Sequence, residues 1–498
     1  MLDPEFTGLP LDQLCSAALE AMASAKGIGY GDIRIHRDRI QGIHVREHDL
    51  ISLSESEPRG FGVRLVVDGS WGFAASSDMT VAGVTRAVAA AAEMARLLRP
   101  LVEERVELAP EPVHQETWIG EVEINPFQVA SERKVDFMLD ATARCLEAGA
   151  KFAEFSCLQV QENRYFVSTE GSRITQQRVR LHPVLQAGLV DERGSGLVET
   201  MRSTARPVGR GWEYVESHGF PAEAEEMVGW LREKLASPSI SPGAYDLVID
   251  PSNLWLTIHE SVAHGTELDR ALGYEANYAG TTFATPDQVG SLKYGSPRMH
   301  ITGDRLEPHG LATVGFDDEG VAAQRWDIIN DGILVGYQLN RQMAHKFHLP
   351  RSNGCAFADS WSHLPLQRMP NVSLQPDPDH DTTLGELFSG VEEGIYILGD
   401  KSWSIDMQRY NFQFTGQRFY RIHKGQLAGQ LRDVAYQSRT PDFWGRLEAV
   451  GGRSAWQLHG AFNCGKGEPG QVAPVSHGCA PALFRQVNVL NARHEGQE

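Results

Sequence analysis

From Ile258 to Gly265 the chain reads Ile-His-Glu-Ser-Val-Ala-His-Gly, a His-Glu-x-x-x-His pattern. Two imidazoles with a carboxylate beside the first suit a zinc hydrolase. The nitrogens hold a metal, and the carboxylate of Glu260 takes a proton from the attacking water. The pattern is one residue longer than the familiar His-Glu-x-x-His. At ~100° per residue, helix positions four apart share a face, whereas positions five apart diverge by about 140°. His259 and His264 can therefore share one metal in either of two ways. A π-bulge widens the turn between them, or the helix opens just before His264. Gly265 reads as a stop at that point, which makes the second arrangement plausible beside the first. The competing reading is a plain helix that happens to contain two histidines and a glutamate.

A catalytic zinc takes three protein ligands and keeps one position open. None of the six cysteines forms a Cys-x-x-Cys pair, so neither a zinc ribbon nor a thioredoxin-type site is indicated. Cys464, in Asn463-Cys-Gly-Lys-Gly-Glu-Pro-Gly-Gln471, stands out by context. Its following glycines let backbone approach a metal or substrate, and Lys466 is expected to favour the thiolate. By spacing alone, Cys464 reads better as a small buried hydrophobe.

These segments carry a resemblance. His259-Glu-Ser-Val-Ala-His264-Gly with Glu267 and Asp269-Arg270 is joined by Phe316-Asp-Asp-Glu-Gly320 and Pro365-Leu-Gln-Arg-Met-Pro-Asn371. The Asn463–Gln471 segment, Ser476-His477-Gly478 and, near the start, Gly60 to Ala74 complete it. Together they resemble the TldD/PmbA family of metallopeptidases, in its TldD-like, ligand-bearing subunit type, from about residue 30 to about residue 492. The resemblance implies His259, His264 and Cys464 as zinc ligands and Glu260 as general base. It also implies an enclosed site in a dimer, formed with a second copy or with a ligand-lacking PmbA-like homologue. Two departures bear on substrate preference. Lys401 to Tyr420 replaces a stretch that is often Gly-rich in the family, and Cys355 and Cys479 stand where other small residues are expected.

The elements that must position the motif are legible around it. Tyr245–Asp250 reads as a short buried strand, after which Asp250 caps a helix with Pro251 in its first turn. Leu254, Ile258 and Val262 recur four apart, a stripe that anchors the helix to a core. Upstream, helices are expected over Leu11–Lys26, Thr80–Leu98, Ala130–Ala148 and from Pro221 to about Leu235. Strands are expected over Asp32–Arg39, Ile43–Ser54, Gly62–Ser76, Phe152–Gln161, Arg164–Thr169 and Val179–Asp191, with a hairpin at Asp68-Gly69. Helix followed by strands, twice, suggests two units at about 1–100 and 125–236 inside an N-terminal domain, 1–236. Met1–Phe6 is given no weight in this reading. A Ser- and Pro-rich linker, 237–243, leads to a C-terminal domain, 244–498, with short strands and one further helix near Leu339–Phe347. The fold class is α+β, a mixed α/β N-terminal domain followed by a largely β domain carrying the metal-site helix.

Other signals weigh less. Gly465-Lys-Gly-Glu-Pro-Gly470 matches a dinucleotide-binding spacing, but Pro469 lies inside it and no helix is expected after it. His44 with His48, and His345 with His348, read as exposed imidazoles. Asp317, Asp318 and Glu319 read as a turn beside the site or a solvated acidic corner, the turn being preferred.

Bulk properties narrow the function. A net charge of −19 has the wrong sign for holding phosphate backbones, so nucleic acid is not an expected partner. No apolar run reaches the ~20 residues needed to cross a bilayer, and the start lacks a signal-peptide pattern. With few, scattered cysteines, this fits a cytoplasmic protein. The expected function is zinc-dependent hydrolysis of small or unfolded peptides, in maturation or leader removal. The alternatives are a zinc hydrolase of a small-molecule amide and a non-proteolytic scaffold with structural zinc.

Overall fold

Strand Ile28–Arg46 shows how the first half is layered. Ile33 and Ile35 project to one side while Asp32, Arg34 and His36 project to the other, and all five are buried. A strand covered on both faces lies inside a layered structure. In the computed structural model, which describes residues 1–190 and 198–493, it is central in an eight-stranded sheet. The order is Ser70–Ser76, Arg59–Val67, Ile28–Arg46, Phe152–Ser168, Arg173–Val190, Gln115–Ile119. Asp49–Ser56 and Val198–Arg202 are added on Ile28–Arg46 and Arg173–Val190.

The four expected helices form as Leu11–Ser24, Val81–Leu98, Ser131–Glu147 and Phe220–Ala236. The first pair covers a cluster that includes Leu14, Met22, Phe61 and Ala91. The second pair covers a separate one, with Met138, Phe155, Leu185 and Met227. Asp68 (φ 51°) and Gly69 (φ 78°) both adopt left-handed conformations, as a two-residue type I′ hairpin requires.

The strands run longer than expected. Asp32–Arg39 and the start of Ile43–Ser54 belong to one strand, because Gly42 is paired on both sides, with Ser54 and with Leu158. Phe152–Ser168 is likewise continuous across Glu162-Asn163, whose side chains are buried in polar contacts. Asp191, the expected end of the next strand, lies outside the described residues. The N-terminus has a structural role. Asp3 caps a short helix, Pro4–Thr7, and Phe6 is fully buried.

The sheet face away from the helices is charged, and the second half of the chain docks on it. Arg64 bonds Glu319 at 2.9 Å, Arg34 pairs with Asp318 at 3.5 Å, and Arg178 donates to the Leu311 carbonyl at 2.8 Å. Asp317–Glu319 is thus a turn, closed by left-handed Gly320, and not a solvated corner. Asp318 and Glu319 are buried against strand-borne arginines, and the Asp317 carboxylate accepts from the backbone N–H groups of Glu319, Val321 and Ala356.

Segment 237–243 is pinned by hydrogen bonds between Ile240 and Arg432 and between Arg432 and Pro238, both 3.1 Å. It leads into strand Gly243–Ile249, which lies between Glu393–Ile405 and Ala482–Asn491 in a seven-stranded sheet. From Ala482–Asn491 the pairing continues through Val434–Arg439 and Asn411–His423 and returns to Glu393–Ile405, so five strands form a closed ring. The fold is therefore α+β, with mixed α/β structure first and a β-rich second part bearing the motif helix. Among the described residues no helix is long and apolar enough to cross a membrane.

Candidate metal centre

The motif helix starts at the end of an inner strand. Asp250 accepts from the Ser252 backbone N–H at 3.0 Å, Pro251 occupies the first turn, and Tyr396 holds the other carboxylate oxygen at 2.6 Å. Leu254, Ile258 and Val262 are fully buried. The regular helix, Pro251–Ile258, then gives way to a π turn over His259–Ala263, in which the His264 N–H bonds the His259 carbonyl. Widening the turn brings residues five apart onto one side. The ring centroids of His259 and His264 lie 4.7 Å apart.

Of the two arrangements open to the sequence, the chain takes the π turn. Gly265 is not a left-handed stop. The chain continues through a 3-10 turn, His264–Thr266, and a Cβ on Gly265 would lie 3.0 Å from the Tyr294 hydroxyl. A π turn leaves carbonyls without regular helical partners. Here buried side chains supply the donors, Tyr294 to Ser261 O and Gln338 to Ala263 O, both at 2.6 Å, and Thr282 does the same for Gly265 O in the 3-10 turn that follows, at 2.8 Å.

Cys464 arrives from the hairpin of Gln457–Lys466 and Gln471–Cys479. The glycine-rich segment is the turn of that hairpin, so no dinucleotide-binding helix follows it. One ligand atom each from His259, His264 and Cys464 lies within 4.8 Å of the others. Burial pushes both imidazoles well below their ordinary pKa, leaving them neutral with a lone pair to offer.

Their partners select which nitrogen is free. His477 faces the Val372 carbonyl through Nδ1 at 2.8 Å, and a carbonyl only accepts, so Nδ1 carries the proton. Its Nε2 must then accept from His259 Nδ1, 2.7 Å away, which leaves His259 Nε2 unprotonated. Glu267 does the same for His264, accepting a hydrogen bond from its Nδ1–H at 3.0 Å. Cys464 Sγ lies 3.7 Å from His264 Nε2.

Lys466 does not serve the thiolate as its proximity in sequence suggested. Its ammonium is bonded to Glu267 at 3.0 Å, Asp269 at 2.8 Å and Glu275 at 2.9 Å. These carboxylates could hold a cation by their spacing alone, and Lys466 is that cation. Burial dominates at Cys464 and pushes its thiol up to about 11, with the nearby Arg368 guanidinium acting in the opposite direction.

Glu260 lines the same cleft and bonds Arg409. Burial raises its pKa above the usual carboxylate range, and the Arg409 charge pulls it back. Sequence reasoning missed Arg409, which sits 149 residues away at a hairpin turn in a left-handed conformation. His477 and Glu267 stood among the residues that carried the resemblance, without a role. The paired histidines elsewhere do not form sites: His345 pairs with Glu107 and His44 with Glu154.

A model of the PmbA/TldA metallopeptidase C-terminal domain matches residues 242–491, half of the chain, and domain 1 of the same family matches 31–95. The chain belongs to the PmbA/TldA metallopeptidase family. It is 25% identical to a metalloprotease of Methanocaldococcus jannaschii, over 90% of this chain and 94% of the relative. It is 22% identical to a zinc metalloprotease TldD homolog of Saccharolobus solfataricus, over 92% and 95%. Among solved structures, TldE from Thermococcus kodakarensis is similar in fold to this chain, with a TM-score of 0.74, 16% identity and coverage of 96% of this chain and 99% of that one.

Proposed function

We propose that this protein is a zinc-dependent peptidase acting on small or unfolded peptides. The observation that carries the reading is the convergence of His259, His264 and Cys464 beside Glu260 on one cleft. The donor set fits zinc. Tetrahedral bonds of about 2.3 Å to sulfur and about 2.0 Å to nitrogen put the two donors about 3.5 Å apart, close to the 3.7 Å between Cys464 Sγ and His264 Nε2. Zinc bound there would supply Lewis acidity toward a carbonyl and a water.

The chain's own residues supply the proton chemistry. Glu260, as carboxylate, takes a proton from the attacking water and returns it to the leaving amine. Arg409 favours that charged state. His477 and Glu267 hold the imidazoles in the tautomers that ligation needs. The reading includes a cytoplasmic location and a dimer, with a second copy or a ligand-lacking PmbA-like homologue, and TldE is itself a close match in fold.

Metal analysis combined with a peptide-library cleavage assay tests the proposal. The purified protein should hold one zinc per chain and cleave peptides, and Glu260→Ala should keep its zinc and lose cleavage. A zinc-free wild type, or undiminished cleavage by the variant, would overturn it.

A further inference from the structure

The cleft beside the ligand cluster has a volume of about 560 Å³ and is lined by three cations of different standing, Arg202, Arg206 and Lys401. Arg202 is matched by Asp400 at 2.7 Å, and Lys401 by Glu199. Arg206 has no carboxylate in ion-pair contact among the described residues. Its contact is neutral: a guanidinium N–H donates to Gln457 Oε1 at 3.4 Å. His459 Nε2 approaches the same oxygen, also at 3.4 Å. Burial, assisted by the Arg206 charge, lowers the His459 pKa to about 3, so the ring is neutral and Nε2 is the protonated nitrogen facing that oxygen. Two N–H donors thus converge on one weakly held acceptor.

The base of Arg206 is rigid. Its backbone N–H bonds the Tyr214 hydroxyl at 3.0 Å, and the neighbouring Leu181–Val208 bridge is closed by two 3.0 Å bonds. His459 is buried on its strand. A carboxylate oxygen would suit these donors better than an amide oxygen does, since charge-assisted hydrogen bonds are shorter and about twice as strong as neutral ones. The chain as a whole carries −19 and repels acidic ligands at long range, so an unmatched guanidinium inside the cleft supplies the local attraction they need.

The subsite is remote from the ligands. His459 and Cys464 are five positions apart on one strand, about 16 Å at ~3.3 Å per residue, and somewhat less across the irregularity after Ala461. An extended substrate covers that distance with about four or five residues. We propose that Arg206 and His459 form a carboxylate-binding subsite. It would hold an acidic side chain or the C-terminal carboxylate of a peptide about four or five residues from the bond being cut. The inference rests on the peptidase reading above and names its substrate class.

Binding to the full-length Glu260→Gln variant tests it, because that variant should not turn substrate over. Three labelled peptides of about ten residues suffice: one neutral and capped at both ends, one with a single internal Glu, and one with a free C-terminal carboxylate. Fluorescence anisotropy should show at least one carboxylate peptide binding about tenfold tighter than the neutral one, and the arm that gains identifies the source of the carboxylate. Adding Arg206→Gln should bring all three to within about twofold, while Arg206→Lys keeps part of the preference. His459→Gln, with circular dichroism confirming the fold, should also reduce the preference. Equal affinities in the parent, or a preference that survives Arg206→Gln, would overturn the subsite. Cleavage of the neutral peptide by wild type separates the two readings. If it is cleaved without any carboxylate preference, only the subsite fails, and if no peptide is cleaved or bound, both fail.

Discussion

His477 Nε2 lies 2.7 Å from His259 Nδ1, and this hydrogen bond decides the state of a candidate ligand 218 residues away in the chain. The Val372 carbonyl holds the His477 proton on Nδ1, so His477 can only accept from His259, whose lone pair is left on Nε2. Replacing His477 by Ala should weaken zinc affinity about 10- to 100-fold, the usual cost of losing a partner that orients a ligand. Gln at this position can accept from His259 and donate to Val372, so His477→Gln should retain more. Competition with a chromogenic chelator measures both, and an unchanged affinity in His477→Ala would remove the orienting role.

Zinc uptake should expel protons. Burial holds the Cys464 thiol at about 11 in the metal-free protein, so near neutral pH it is protonated. The two imidazoles are pushed well below their usual range and contribute no proton there. Ligation requires thiolate, so about one proton should leave per zinc, and affinity should fall about tenfold for each unit the pH is lowered. Calorimetry in buffers of different ionisation heat counts the protons. A count of zero would mean that Cys464 is already a thiolate or is not a ligand.

Shortening the motif should not improve it. Deleting Ala263 produces His-Glu-x-x-His but removes the residue that makes the π turn. It also shifts His264 and Gly265 against Tyr294, Thr282 and Gln338, which now hold the carbonyls of this turn and the next. The deletion variant should bind zinc more weakly than wild type despite its more familiar spacing. Equal or tighter binding by equilibrium dialysis would show that the surrounding contacts do not set the register.

Lys466→Met should act on stability. It removes the cation bonded to three buried carboxylates, Glu267, Asp269 and Glu275. Breaking a buried ion pair by removing one partner costs roughly 3–5 kcal/mol. Urea denaturation should show a loss of that order. A variant with full stability but no zinc would instead restore the expectation that Lys466 serves the Cys464 thiolate.

Local signals had physical reasons to be readable. Asp250-Pro251 is a helix start in any context, because the cap and the fixed φ act within one turn. Asp68-Gly69 makes a tight hairpin because two consecutive left-handed residues are cheap there. The clash between a five-residue spacing and a helix of 3.6 residues per turn is a matter of angles, so distortion at His259–His264 was the expectation wherever the two share a metal. The form of the distortion was left open. A π turn and an opened helix differ in which carbonyls lose their partners, and those donors come from Tyr294, Thr282 and Gln338, 17 to 75 residues away.

Two imidazoles and a carboxylate of the candidate centre were thus legible in the motif, as was the strand–cap–helix unit that carries them, while the Cys464 thiol entered only through the resemblance. Tertiary structure decided everything that depends on burial and on distant partners. It assigned Lys466 to three carboxylates in place of the thiol, brought Arg409 to Glu260, and set the tautomers of His259 and His264 through His477 and Glu267. The physical reason is range. Caps, turns and helical angles act over a few residues, whereas desolvation and hydrogen bonding between side chains depend only on which segments the folded sheets bring together.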